Sequence, residues 1–208
     1  KRRVDAINQA INNSNQVIVF DDGLQEKKID YDLKIVCFKK KIWIGNGQLI
    51  PSGPLREKIK NLKNYDIVFL NGKNDNVENI KKIILKLNPK IEIFESNYEI
   101  QNLNELDINS NYLIFSGIGD PLSFKEILLE NNINVVKEII FPDHHKYEKK
   151  DIKKLIQESK KLNAKILTTE KDFTKLSYDD VREINFLKIE LKIIEEEKFI
   201  NLINDTLN

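Results

Sequence analysis

The 208-residue chain contains no methionine and a single cysteine, Cys37. One cysteine excludes an internal disulfide framework and suits a reducing compartment. No apolar run reaches the roughly 18 residues that a membrane-spanning helix requires. Net charge is also nearly absent. The 34 Lys and Arg against 33 Asp and Glu leave +1, so no bulk field draws the chain to nucleic acid or acidic lipid. Histidine occurs only at His144 and His145, and arginine only at Arg2, Arg3, Arg56 and Arg182. Because position 1 is lysine and methionine is missing throughout, further residues are expected upstream of Lys1.

What is present is enough to fold. At 40% hydrophobic and 32% charged, the composition is not that of a disordered polymer. The length allows one large domain or two small ones, able to bury roughly 70% of the unfolded surface. Short β-branched runs predict strands at 16–20, 34–38, 66–70, 91–94, 112–115, 135–141, 165–167 and 186–194. Between them, Ile80, Ile83, Ile84 and Leu87 keep helical spacing, as do Ile152, Leu155, Ile156 and Leu162. Asp120-Pro121 opens a third helix, with an acid at the cap and proline at the first helical position. A fourth helix fits 195–207, with Phe199, Leu202 and Ile203 on one side. Strands alternating with helices predict an α/β fold in which parallel sheet is covered by helices. The segment 39–60 lacks period and gathers Gly45, Gly47, Pro51, Gly53 and Pro54 into one long loop.

Several strand ends carry chemistry. The run Val17-Ile18-Val19-Phe20 leads into Asp21-Asp22-Gly23-Leu24-Gln25, which places carboxylates where open α/β sheets bind ligands and where phosphate-transferring enzymes hold Mg²⁺. The plainer use of the same residues is an ordinary Asp-Asp-Gly turn. Arg56 stands in Pro51-Ser52-Gly53-Pro54-Leu55-Arg56-Glu57, within a chain that nearly always chooses lysine. A planar fork there suits a phosphate or carboxylate, although a surface ion pair would use it equally. Phe115-Ser116-Gly117-Ile118-Gly119 lacks the third glycine of a dinucleotide fingerprint and reads as a tight strand-to-helix turn. Asp143-His144-His145 closes a strand with both histidines side by side, so at most one faces a site. Thr168-Thr169-Glu170-Lys171-Asp172 closes another strand, where capping is the common use and Lys171 is within reach of a phosphate.

Taken in order, these stretches resemble the tetraacyldisaccharide 4'-kinase family of lipid A biosynthesis, most specifically in Pro-x-Gly-Pro-Leu-Arg-Glu. The resemblance implies a phosphate-loop kinase-like fold of parallel or mixed sheets flanked by helices, with two sub-domains joined by a two-stranded hinge. It implies ATP- and Mg²⁺-dependent phosphorylation of the 4'-hydroxyl of a lipid A disaccharide 1-phosphate precursor. By motif, Asp21 and Asp22 would serve the catalytic centre and one or both would hold Mg²⁺. Gln25 lies nearby, Arg56 and Glu57 would line the phosphate region, and His144 with an aspartate would activate the attacking hydroxyl. Domains are expected at 1–70, completed by about 180–208, and at 71–179, with the hinge near 66–72 and 186–194. A monomer is expected at the cytoplasmic face of a Gram-negative inner membrane, with no nucleic-acid partner and peripheral contact made mainly by the family's N-terminal region.

Two departures from the family stand out. Glu26 follows Asp-Asp-Gly-x-Gln where the family has histidine, and Gly72-Lys73 lacks both the first glycine and the Ser/Thr of a phosphate-binding loop. Taken alone, this chain is therefore expected to be inactive. Two other readings compete. One is a metal-dependent phosphoesterase with an Asp-His-His site. The other is a binding module that retains a lipid or partner surface.

Overall fold

The computed structural model describes residues 3–73, 76–177 and 181–207. Two compact units divide the chain, Lys1–Ser96 with Ile193–Asn208, and Asn97–Lys192. In chain order the first unit contributes α1 (Arg3–Asn12), β1 (Ile35–Lys39), β2 (Ile67–Asn71), α2 (Val77–Leu87) and the start of β3 (Glu92–Ile100). The second contributes β4 (Asn111–Ser116), α3 (Pro121–Glu130), β5 (Asn134–Ile140), α4 (Lys149–Lys161), β6 (Lys165–Thr169), α5 (Glu170–Phe173) and β7 (Ile184–Leu187). Finally β8 (Ile189–Ile193) leads back to α6 (Glu196–Leu207) in the first unit.

In the first unit β2 pairs in parallel with β1 on one side and β3 on the other. A strand covered on both edges and both faces is apolar throughout, as Ile67-Val68-Phe69-Leu70 is. Alternation sends Val68 and Leu70 to one face, against Ile80 and Ile84 of α2. Ile67 and Phe69 go to the other, against Phe94 and, from α6, Phe199 and Leu202.

The second unit holds a four-stranded sheet in the order β5-β4-β6-β7, parallel at every pairing. Tyr112 and Ile114 of β4 pack with Phe124 and Leu128 of α3. Leu113 and Phe115 pack on the opposite face with Ile152 and Leu155 of α4. From β4 the chain connects to β5 on one side, and the later connections run to β6 and β7 on the other, so the strand order reverses between β4 and β6 and the loops at their C-terminal ends meet at that switch point. Asp120 caps α3 as expected, accepting from the Ser123 N–H (3.4 Å) with Pro121 at the helix start.

Three expectations need correction. Residues 16–20 form no strand; Val19 is 89% exposed, and among the described residues no sheet pairing includes the segment. The predicted strand 186–194 is two strands in two different sheets. The break falls at Lys188, whose N–H donates to the Asn102 side chain (2.8 Å) while Asn102 donates to the Phe186 carbonyl (2.9 Å), displacing a ladder partner. The units divide at 96/97 and 192/193, not near 70/71 and 179/180, because 66–72 spans the central strand of the first sheet rather than a connection. Helix α1 had no counterpart among the sequence expectations.

The surface carboxylates make folding acid-sensitive. Asp107 is pulled down to about 2 by bonds from Ser110, Lys165 and the Asn109 N–H, and Glu158 to about 2 by Lys137 and Lys161. Both folded values lie below the ordinary 3.8 and 4.5, so their contribution is present above that range and disappears as pH falls toward 2. The urea midpoint of the chain is expected to hold from neutrality to about pH 5 and to drop between about pH 4.5 and 2. A midpoint level across that lower window would refute the assignment.

Candidate functional site

In the first unit the sequence brings Asp22 and Arg56 together across 34 positions: Arg56 Nη1 donates to Asp22 Oδ1 at 2.8 Å. Asp22 has φ +52°, a left-handed conformation that aspartate tolerates better than most residues. Its turn is fixed from the backbone side. Arg3 Nη2 donates to the Asp22 carbonyl at 2.9 Å and the Asp21 carbonyl at 3.4 Å, and the Tyr31 hydroxyl donates to the buried Gly23 carbonyl at 2.7 Å. Both partners of the Asp22–Arg56 pair are exposed, so it adds little to stability and acts chiefly to aim the two groups. Asp21 and Gln25 are exposed beside it.

Arg56 is positioned by a loop closed on itself. The Leu55 N–H donates to the Gln48 carbonyl (3.1 Å), the Ile50 N–H to the Leu55 carbonyl (2.9 Å), and Asn46 Nδ2 to the Ser52 carbonyl (2.8 Å). Gly53 is required here, since a Cβ would collide with Asn46 Oδ1 and the Gln48 carbonyl. Leu55 is buried beneath. Glu57 turns to the fold: its Oε2 accepts from Asn61 Nδ2 and the Tyr65 hydroxyl, each at 2.8 Å. Those two bonds hold its carboxyl below the ordinary value, while burial and then Glu57 push Tyr65 up to about 12. Glu26, in place of the expected histidine, accepts from the Lys28 N–H at 3.2 Å within its own turn.

In the second unit the loops after β4, β5 and β6 lie at the C-terminal edge of the sheet, around the switch point. His144, exposed and at φ +58°, donates its N–H to Asp143 Oδ1 (2.9 Å) and to the Gly117 carbonyl (3.2 Å). Its Nε2 lies 3.7 Å from Asp143 Oδ2, and Lys171 Nζ lies 3.9 Å from Asp143 Oδ1. The carboxylate of Asp143 thus sits between an imidazole and an ammonium at the open end of the sheet. His145 turns away, its Nε2 3.0 Å from Asp151 Oδ2 and its ring stacked 4.7 Å from Phe141.

A model of the tetraacyldisaccharide-1-P 4'-kinase family matches residues 1–208. The chain belongs to this family. A tetraacyldisaccharide 4'-kinase of Pelagibacter ubique is 46% identical over 96% of the chain, and one of Rickettsia canadensis is 38% identical over 92%. These matches cover 64% and 56% of the relatives' own lengths. The structure of LpxK from Aquifex aeolicus in complex with ATP has the same fold at a TM-score of 0.58, with 24% identity over 89% of the chain and 56% of its own. The fold is therefore that of a phosphate-loop kinase-like α/β protein.

The phosphoesterase alternative is not supported. The family match speaks for kinases, and among the described residues no three His, Cys, Asp or Glu side chains gather to hold a metal. With His145 committed to Asp151, Asp143-His144-His145 does not converge on one point. Sequence reasoning missed Arg3, which fixes the Asp22 turn, and the burial of Asp172. Thr169-to-Asp172 spacing signalled the cap alone, which is present: Thr169 Oγ1 accepts the Asp172 N–H at 3.1 Å.

Proposed function

We propose that this chain is the larger part of an ATP- and Mg²⁺-dependent kinase that transfers the γ-phosphoryl group of ATP to the 4'-hydroxyl of a lipid A disaccharide 1-phosphate precursor. The observation that carries this reading is the Asp22–Arg56 pair, built by family motifs 34 residues apart within a chain that matches the family along its whole length. Asp21 and Asp22 are the residues that would hold Mg²⁺, which neutralises phosphate charge when bound. Two exposed neighbouring carboxylates fit an ion that takes one or two such groups and completes its shell with water and phosphate oxygens. Arg56 offers a planar fork to phosphate oxygens, Glu57 braces its loop from the inner side, and Gln25 lies next to the aspartates. His144, with an aspartate, accepts the proton of the attacking hydroxyl. Positioning and electrostatic stabilisation supply the rate, as in other phosphoryl transfers.

The acceptor is a lipid, so the reading places a monomeric enzyme peripherally at the cytoplasmic face of the inner membrane. Among the described residues no helix is long and apolar enough to cross a membrane. The test is transfer of labelled γ-phosphate from ATP to the disaccharide by the full-length kinase. Arg56→Lys should lower turnover about tenfold, because a point charge cannot reproduce the fork. Absence of transfer, or label released only as inorganic phosphate, would overturn the proposal.

A further inference from the structure

Capping of α5 requires only the Thr169 hydroxyl, yet the side chain of Asp172 is fully buried (0% exposed) and engaged on both oxygens. Its Oδ2 accepts from the Gly117 N–H at 2.8 Å and from Thr169 Oγ1 at 3.0 Å; its Oδ1 accepts from Lys175 Nζ at 2.7 Å. Burial disfavours the charge, but Lys175, the Gly117 amide and Thr169 outweigh it and hold the carboxyl below its ordinary value. The negative charge raises the neighbouring Tyr147 hydroxyl in turn, after burial. A buried carboxylate ringed by this many donors is costly to assemble, and a four-residue helix gives no structural reason for it.

What the ring holds is the backbone of Gly117, gripped at its N–H. That residue follows β4, and its carbonyl accepts the His144 N–H at 3.2 Å. It is packed so tightly that a Cβ would lie 3.0 Å from the Tyr147 hydroxyl, 3.1 Å from the Pro142 carbonyl and 3.3 Å from His145 Cβ. Lys175 Nζ reaches the same Gly117 carbonyl at 3.5 Å. His144 occupies a left-handed conformation that strains a non-glycine residue, and its N–H is held by Gly117 and Asp143. Resting on His144 as the group that handles the acceptor hydroxyl, we infer that Asp172 is a positioning residue for His144, acting through the Gly117 backbone, whose N–H it holds and whose carbonyl receives the His144 N–H, without touching substrate.

The experiment is a double-mutant cycle in the full-length kinase, with ATP and the disaccharide 1-phosphate as substrates. Asp172→Asn keeps the shape but removes the charge. It should lower kcat about ten- to hundredfold while leaving KM for ATP nearly unchanged, as misplacement of a reacting group does. In a His144→Ala background the same substitution should cost nothing further, because both changes remove one function. Equal losses in both backgrounds, or wild-type kcat for Asp172→Asn beside an impaired His144→Ala, would overturn the positioning role. Wild-type kcat for His144→Ala would instead remove the assignment of His144 itself, and the inference with it. If Asp172→Asn melts below the assay temperature, Thr169→Val, which deletes one donor to Asp172 together with the α5 cap, takes its place in the cycle.

Discussion

Turnover of the full-length kinase is expected to fall by about a hundredfold or more when either Asp22 or His144 is replaced by alanine. The two losses have different origins. Asp22→Ala removes the carboxylate that Arg56 grips at 2.8 Å and that would hold Mg²⁺ on the proposed reading, so Arg56 loses the partner that aims it. His144→Ala leaves the loop contacts of the backbone intact, since its N–H bonds to Asp143 and Gly117 are retained, and removes the imidazole alone. Steady-state assays at saturating ATP distinguish the cases: added Mg²⁺ should restore part of the Asp22→Ala loss and none of the His144→Ala loss. Unchanged turnover in both variants would remove both proposed roles.

The largest stability effect is expected at Phe94. It is fully buried on β3, with ring centroids 5.7 Å from Phe69 and 5.3 Å from Phe199, and those two rings lie 5.0 Å from each other. Lys198 Nζ sits 5.4 Å over the Phe94 ring, adding a cation–π contact. Truncation to alanine leaves a cavity that strand and helix backbones cannot close, so the cost should be about 3–5 kcal/mol. Domains of this kind have only about 5–15 kcal/mol in total, so the variant should be close to unfolding at room temperature. Urea titration followed by circular dichroism measures the loss, and a change below about 1 kcal/mol would show that the three-ring cluster does not hold α6 to the sheet.

Side-chain periodicity made much of this architecture legible. The apolar Ile67-Val68-Phe69-Leu70 run announced a strand, and the Ile80-Ile84 and Ile152-Leu155 spacings announced the helices that cover the two sheets. Such patterns report which side chains avoid water. They do not report where backbone hydrogen bonds go. That is why 16–20, as β-branched as any true strand, proved unpaired, and why 186–194 hid a break made by one distant amide, Asn102. For the same reason the boundary expected at 70/71 fell at the end of a strand paired on both sides.

The site divides along similar lines. Scarcity of arginine singled out Arg56, and its partner Asp22 was named from a separate motif, but nothing local links positions so far apart. Glu57 belonged to the same motif as Arg56, yet Asn61 and Tyr65 draw it inward. Asp172 carried no signal beyond its cap spacing, because burial of a charge depends on donors from Gly117 and Lys175 that only the folded chain assembles.

The passage of the chain between its units has a consequence for how the protein is put together. It leaves the first unit along β3 and returns along β8, neighbours in one sheet; the Gln101 N–H donates to the Lys188 carbonyl at 2.9 Å and the Ile194 N–H to the Glu95 carbonyl at 3.0 Å, so the two run antiparallel. The departure at Asn97 and the return at Lys192 are thus a strand spacing apart, roughly 5 Å. A stretch whose ends meet so closely has the geometry of an insertion: the host sequence could be rejoined by a residue or two, and the guest excised, circularised or transplanted whole.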